Sequence, residues 1–235
     1  MNVGLVSYEF RNHELSFNIK QLEKALKAVG DKVDLLCFGE SFLQGFDGLS
    51  WNFNVDKKFA LTIDSKAIKD ICLLSKIYNC ALAFGYFELF EDAIYSSYMV
   101  IDKGEIIHNY RRITTGWKEV SLTDEHYQEG NETSEFVLKD KTFMVGLCGD
   151  LWELPDRFKT DGILLWPVYV NFTLDEWKNE VFEYAKQVKD VASTTLMINS
   201  ISDNPASVGG CFIFNEGKFI NEVIYEVENI TIIGI

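Results

Sequence analysis

Two short apolar runs, residues 3–7 and 33–38, bracket a stretch in which Ile19, Leu22, Ala25, Leu26 and Val29 recur at helical spacing. This β-α-β alternation restricts the fold more than any other feature. A strand that reads as a continuous apolar run needs cover on both faces of its sheet, and the helices between strands supply it. Gly30 stands where a C-terminal glycine ends a helix. The unit then repeats: Ile68, Ile71, Cys72 and Ile77 mark one face of a second helix, and residues 81–85 form the next strand. The class is α/β.

A different texture follows. Residues 95–101 and 105–110 flank Asp102-Lys103-Gly104, the signature of a hairpin turn. A second pair of strands brackets Lys139-Asp140-Lys141, and its later member, residues 142–147, runs directly into Cys148. Beyond it, residues 163–166 and 196–201 read as strands around a helix over 174–191, with Trp177, Val181, Tyr184, Ala185 and Val188 on one stripe. Three short β segments close the chain, at 211–214, 218–223 and 230–233, the first two joined at Asn215-Glu216-Gly217. With only 3 prolines and no Gly/Ser-rich or like-charge linker, residues 1–235 are expected to form a single domain.

Charge and cysteine usage narrow the function classes. The 22 basic and 36 acidic residues give a net charge of -14, which repels phosphate backbones and anionic lipid, so neither nucleic acid nor a membrane surface is expected as a partner. No apolar run approaches a membrane span, and residues 1–10 lack the basic and apolar regions of a signal peptide, so a cytoplasmic location is expected. Cys37, Cys72, Cys80, Cys148 and Cys211 are odd in number and form no CxxC pair, which fits free thiols. His13, His108 and His126 are the only histidines and make no HExxH motif; no P-loop, GxGxxG or GxSxG occurs either. No metal and no cofactor are therefore expected.

What remains is polar residues at strand ends. Glu40 follows Leu35-Leu36-Cys37-Phe38-Gly39, at the mouth of a buried strand where desolvation lifts a carboxylate toward the range of a general base. Cys148 occupies the equivalent place after Phe143-Met144-Val145-Gly146-Leu147. Ligand sites in open α/β sheets form at such ends. Taken singly, each has a plainer role, the cysteine as a small buried hydrophobe and the glutamate as a turn residue.

Three blocks in order carry more information: Phe38-Gly39-Glu40-Ser41-Phe42, Asn109-Tyr110-Arg111-Arg112-Ile113 and Gly146-Leu147-Cys148-Gly149-Asp150-Leu151-Trp152. Together with Glu125 five residues before Gly130, Leu165-Trp166-Pro167 and Met197-Ile198-Asn199, they make the chain resemble the nitrilase, or carbon-nitrogen hydrolase, superfamily along nearly its whole length. The resemblance implies a four-layer α-β-β-α sandwich with two mixed sheets, and an amidase-like hydrolase of a non-peptide carbon-nitrogen bond in a small molecule. It casts Glu40 as general base and Cys148 as the nucleophile that forms an acyl-enzyme. It further implies that Gly149 lends its N–H to the oxyanion and that Glu125 orients base or substrate. A homodimer or larger homo-oligomer is implied as well. Trp152, Trp166, Tyr169 and Asn171 are candidate walls of the substrate pocket, as are Tyr86, Trp117 and Tyr127.

One position departs from the family pattern. Where the family has its catalytic lysine, this chain has Arg112. A guanidinium still supplies positive charge, yet it is planar, broader and permanently protonated, so it does not act as a proton donor. Lys118 lies nearby in sequence as a less natural substitute. The departure motivates a second reading, a non-catalytic member of the same fold that binds a metabolite or partner. The Cys-x-Asp-Leu-Trp spelling is closer to glutamine-using branches of the superfamily, and the choice between water and an amine as acyl acceptor stays open.

Overall fold

The computed structural model describes residues 1–235. In chain order the elements are β1 (Asn2–Ser7), α1 (Leu15–Val29), β2 (Leu35–Cys37), α2 (Phe53–Asp56), α3 (Lys66–Tyr78), β3 (Ala81–Phe90), β4 (Ala93–Asp102), β5 (Glu105–Arg111), β6 (Glu135–Leu138), β7 (Lys141–Val145), α4 (Asp150–Glu153), β8 (Ile163–Val168), α5 (Leu174–Gln187), β9 (Thr194–Asp203), β10 (Ala206–Asn215), β11 (Lys218–Phe219) and β12 (Asn229–Gly234). They form two six-stranded sheets, ordered β12-β1-β2-β3-β4-β5 and β11-β10-β9-β8-β7-β6. In each, three central strands run parallel and the outer ones antiparallel. These are the mixed sheets that the alternation of strands and helices implies.

Side-chain alternation along the strands explains the layering. Leu35, Cys37, Ala81 and Ala83 join Leu165 and Leu196 in the core between the sheets, whereas Leu36, Phe38, Leu82 and Phe84 pack with Leu22, Leu26, Ile68 and Ile71 of α1 and α3. Successive residues of a strand face opposite sides, so a run apolar at every position builds two cores at once. On the other outer face, α5 buries Trp177, Val181, Tyr184 and Ala185. The result is four layers, helix-sheet-sheet-helix.

Turn chemistry sets the hairpins. Lys103 and Gly104 adopt φ of 51° and 87°, and Glu216 and Gly217 adopt 50° and 68°. Two successive left-handed residues give the twist that two-residue hairpins need. Lys139 and Asp140, at 47° and 64°, do the same between β6 and β7 without a glycine.

Several expected details differ. Gly30 is right-handed, with φ -60° and ψ -21°, and its N–H still bonds Leu26 O, so it extends α1 where a left-handed cap was expected. Ile77 is 64% exposed, because the buried face of α3 follows Ile68, Ile71 and Ser75. The strand expected over 218–223 shrinks to Lys218–Phe219. There Asn221 substitutes for backbone pairing: its Oδ1 accepts from Ile213 N at 2.7 Å and its Nδ2 donates to Cys211 O at 3.0 Å. No helix is long and apolar enough to cross a membrane.

Candidate active site

Both strand tips of interest lie at one end of the sandwich. After β2 the chain continues the sheet for one residue, with Phe38 N donating to Ala83 O, and then turns at Glu40. The turn presses against β3 at Gly85, where a Cβ would stand 2.8 Å from Glu40 Cα. Glycine is required at that close approach. Glu40 is fully buried. Its Oε1 accepts from Arg112 Nη1 at 2.8 Å and its Oε2 from Tyr169 N at 3.2 Å.

Cys148 sits on the sharp bend between β7 and α4 with φ of +40°, a left-handed conformation that costs a non-glycine residue strain. Neighbours hold the bend on both sides: Cys148 N donates to Pro167 O at 3.0 Å, and Trp166 Nε1 donates to Cys148 O at 2.9 Å. The sulfur lies 4.0 Å from Tyr169 O, and the residue as a whole is half-buried. No hydrogen bond within the chain uses the Gly149 N–H, whereas Asp150 N bonds Leu147 O at 2.9 Å.

Arg112, 2% exposed, stands beside both groups. Its Nε donates to Thr114 Oγ1 at 3.0 Å, and that hydroxyl donates to Asp150 Oδ1 at 2.8 Å. Asp150 is the knot of the site. It also accepts from Thr114 N at 3.1 Å, Ile113 N at 3.3 Å, Leu147 N at 3.0 Å and Tyr110 Oη at 2.6 Å. One buried carboxylate thereby ties the end of β5 to the cysteine bend.

Electrostatics follow from burial. Desolvation raises the Glu40 carboxyl above its ordinary value, while Arg112 pulls it down. Burial and the Glu40 charge push the Cys148 thiol up to about 12 against the opposing pull of Arg112. Burial alone would lower Arg112, but Glu40, Cys148 and Asp150 raise it overall, so its charge is permanent. The resting arrangement is a neutral thiol beside an ion pair.

Other expected site residues fall elsewhere. Glu125 is exposed, next to Asp124 and His126 on the surface. The reason is local: Trp117 and Tyr127 of the same irregular segment point inward, each 2% exposed, and Tyr127 Oη donates to Asp56, which turns Glu125 outward. Asn171 is exposed, and Trp152 is 43% exposed, edge-on to Tyr184. Trp166 is fully buried and braces the cysteine bend rather than walling a pocket, and Tyr169 contributes its backbone while its hydroxyl bonds Ser202 and Pro205. Tyr86, Trp117 and Tyr127 are core. Lys118 pairs with Glu129 at 2.7 Å. Asp150, Tyr110 and Thr114 were not expected to matter; the Asp of Cys-x-Asp was the available signal. A surface cleft lined by Tyr95, Asn109, Arg111 and Gln128 lies apart from Glu40, Arg112 and Cys148.

Comparison with known proteins agrees with the fold. A family model for carbon-nitrogen hydrolases matches residues 2–152. No curated protein sequence matches. Among solved structures, a CN-hydrolase superfamily protein from Xanthomonas campestris with an arsenic adduct in its active site is similar at a TM-score of 0.79 and 17% identity, over 99% of this chain and 89% of that one. A variant of the amidase from Nesterenkonia sp., with acrylamide added at its active-site cysteine, is similar at 0.77 and 12% identity, over 100% and 93%. A glutamine-dependent NAD+ synthetase from Acinetobacter baumannii is similar at 0.75 and 19% identity, over 98% of this chain and 44% of its own. At such identities the likeness concerns the fold.

Proposed function

The chain belongs to the carbon-nitrogen hydrolase family, and from that premise we propose that it hydrolyses the carbon-nitrogen bond of a small amide through an acyl-cysteine at Cys148. The observation that carries this reading is the convergence of Glu40, Arg112 and Cys148, with Arg112 Nη1 2.8 Å from Glu40 Oε1 and the Glu40 charge acting directly on the thiol. Glu40 takes the thiol proton as the sulfur attacks the amide carbon, and the free Gly149 N–H receives the developing oxyanion. The proton passes to the departing nitrogen, the carbon-nitrogen bond breaks, and an acyl thioester remains. Glu40 then takes a proton from water as its oxygen attacks the thioester, and the sulfur leaves and is reprotonated.

Arg112 acts in this scheme as a fixed charge that offsets Glu40 and the forming thiolate. It cannot deliver a proton, which leaves all proton traffic to Glu40. The amidase of similar fold carries its acrylamide adduct at an active-site cysteine, which supports a nucleophilic cysteine at the equivalent place here. Self-association of the chain belongs to the same proposal, and Leu174 and Phe182 of α5, 38% and 63% exposed, are apolar positions open to it.

The test is ammonia release from a panel of small amides, nitriles and carbamoyl compounds by the intact chain and by Cys148→Ala. Activity that disappears in the variant, with a mass increase on Cys148 during turnover, is the expected result. No release from any compound, with Cys148 no faster than the other thiols toward iodoacetamide, would sink the proposal. A second reading is favoured by one observation: both Glu40 oxygens are already engaged, by Arg112 and by Tyr169 N. Under it the fold binds a metabolite without turnover, and neither Arg112→Lys nor Arg112→Ala changes a zero rate.

A further inference from the structure

Arginine is longer and wider than the lysine it replaces, and the structure contains the room for it in two places. A Cβ built on Gly149 would stand 2.5 Å from Arg112 Nη2, and one built on Gly116 would stand 2.9 Å from the same atom. Nothing else crowds either position: the next atom from another residue is Glu153 Oε1, at 3.5 and 3.8 Å, an ordinary contact. Backbone conformation does not call for glycine either. Gly149 has φ -62° and ψ -17°, a right-handed conformation open to any residue, and Gly116 is absent from the left-handed positions of the chain. Contrast Gly85, whose obstacle is the backbone of Glu40 and Ser41.

We propose that Gly116 and Gly149 are positioning residues that form a notch for Nη2 of Arg112, and that this notch is what makes arginine serviceable at the family's lysine position. The inference rests on the reading of Arg112 as the fixed charge of the site. The end of an arginine is ordinarily free to move aside from an added methyl. Here it is not, because Nε is held by Thr114 Oγ1 at 3.0 Å, Nη1 by Glu40 Oε1 at 2.8 Å, and the side chain is 2% exposed. Displacing Nη2 therefore rotates the guanidinium plane and breaks its bond to Glu40. Glu40 then loses its charge partner, and the Cys148 thiol loses the group that lowers its pKa. Arginine and the two glycines form one unit drawn from the loop after β5 and the cysteine bend.

The test is a cycle on Gly116, which lies on an exposed loop outside the reacting groups. Gly116→Ala, Arg112→Lys and the double variant are compared with the intact chain by thermal melting and by the rate of Cys148 alkylation with iodoacetamide at pH 8. With arginine present, Gly116→Ala is expected to slow alkylation about tenfold and to lower the melting midpoint by several degrees. With Arg112→Lys, whose side chain ends short of the notch, adding Gly116→Ala changes the rate by less than about twofold and the midpoint by less than about 1 °C. Gly149→Ala run through the same cycle gives the same coupling. Equal losses in both backgrounds mean that the loop itself needs glycine, and no loss with arginine means that the notch is idle. Either result overturns the proposal, as does a Gly116→Ala chain that fails to fold in both backgrounds. A chain that turns over no amide ends the proposed function without touching this cycle, which reads melting and thiol reactivity.

Discussion

Replacing Arg112 by methionine isolates the electrostatic knot of the site. Methionine keeps much of the aliphatic stem, so the change is chiefly the loss of one charge opposite Glu40, which is fully buried. Oε2 keeps the Tyr169 N–H at 3.2 Å, while Oε1 loses its partner. Removing one member of a buried pair costs about 3–5 kcal/mol, because the remaining charge is neither paired nor hydrated. A loss of about 4 kcal/mol at pH 8 corresponds to a fall of about 8–16 °C in melting midpoint for a chain of this size. The pH dependence has a definite sign. The folded Glu40 carboxyl already sits above its ordinary 4.5, and losing Arg112, which pulls it down, moves it further up. A raised carboxyl destabilises the fold only while ionised, so the loss is full above the folded pKa and shrinks as pH falls toward 4.5. Urea denaturation at pH 8 and pH 5 reads both quantities, and Glu40→Gln added to Arg112→Met should recover most of the loss at pH 8. A loss below about 1 kcal/mol at pH 8 would mean the pair behaves as a solvated surface pair and would refute the reasoning. Equal losses at the two pH values would do the same.

Glu40→Gln by itself should abolish turnover yet accelerate Cys148 alkylation at pH 8 by about tenfold or more, since the thiol loses the neighbour that raises its pKa and keeps Arg112; slower alkylation contradicts the assigned electrostatics. Asp150→Ala strips acceptors from Tyr110, Thr114, Ile113 and Leu147, and chemical denaturation should show a loss of at least about 3 kcal/mol. A loss under about 1 kcal/mol would mean that Asp150 does not join the two segments. Glu125→Ala, on an exposed side chain, should leave stability within about 0.5 kcal/mol and alkylation unchanged; a marked fall in either would return Glu125 to the site.

Legibility differed between regular and irregular segments. The helices and most strands could be read because burial imposes a period, and Leu36 and Leu82 alternating with Cys37 and Ala83 is that period made visible. Residues 114–133 carry no period, so nothing in the letters says that Tyr127 turns inward and Glu125 outward. Aromatic residues near the motif raised a similar ambiguity. Trp166 and Trp152 look alike as letters, yet one is sealed under the cysteine bend and the other is 43% exposed. The Cys-x-Asp spelling announced Asp150 without its role, which depends on Tyr110 and Thr114 arriving from the end of β5.

Local chemistry written along the chain was enough to determine where strands stop and that Glu40, Arg112 and Cys148 stand at or beside those stops, because apolar periodicity and turn preference act over a few neighbouring residues. Whether these side chains meet was decided by the pairing of β2 with β3, β3 with β4 and β4 with β5, which brings Arg112 to a glutamate 72 positions earlier, and by the packing of the second sheet, whose β7 leads to Cys148. The room for its third nitrogen, between Gly116 and Gly149, exists only in the packed molecule. Contacts between distant segments answer to sheet register and packing volume, and a linear sequence specifies those only through the fold as a whole.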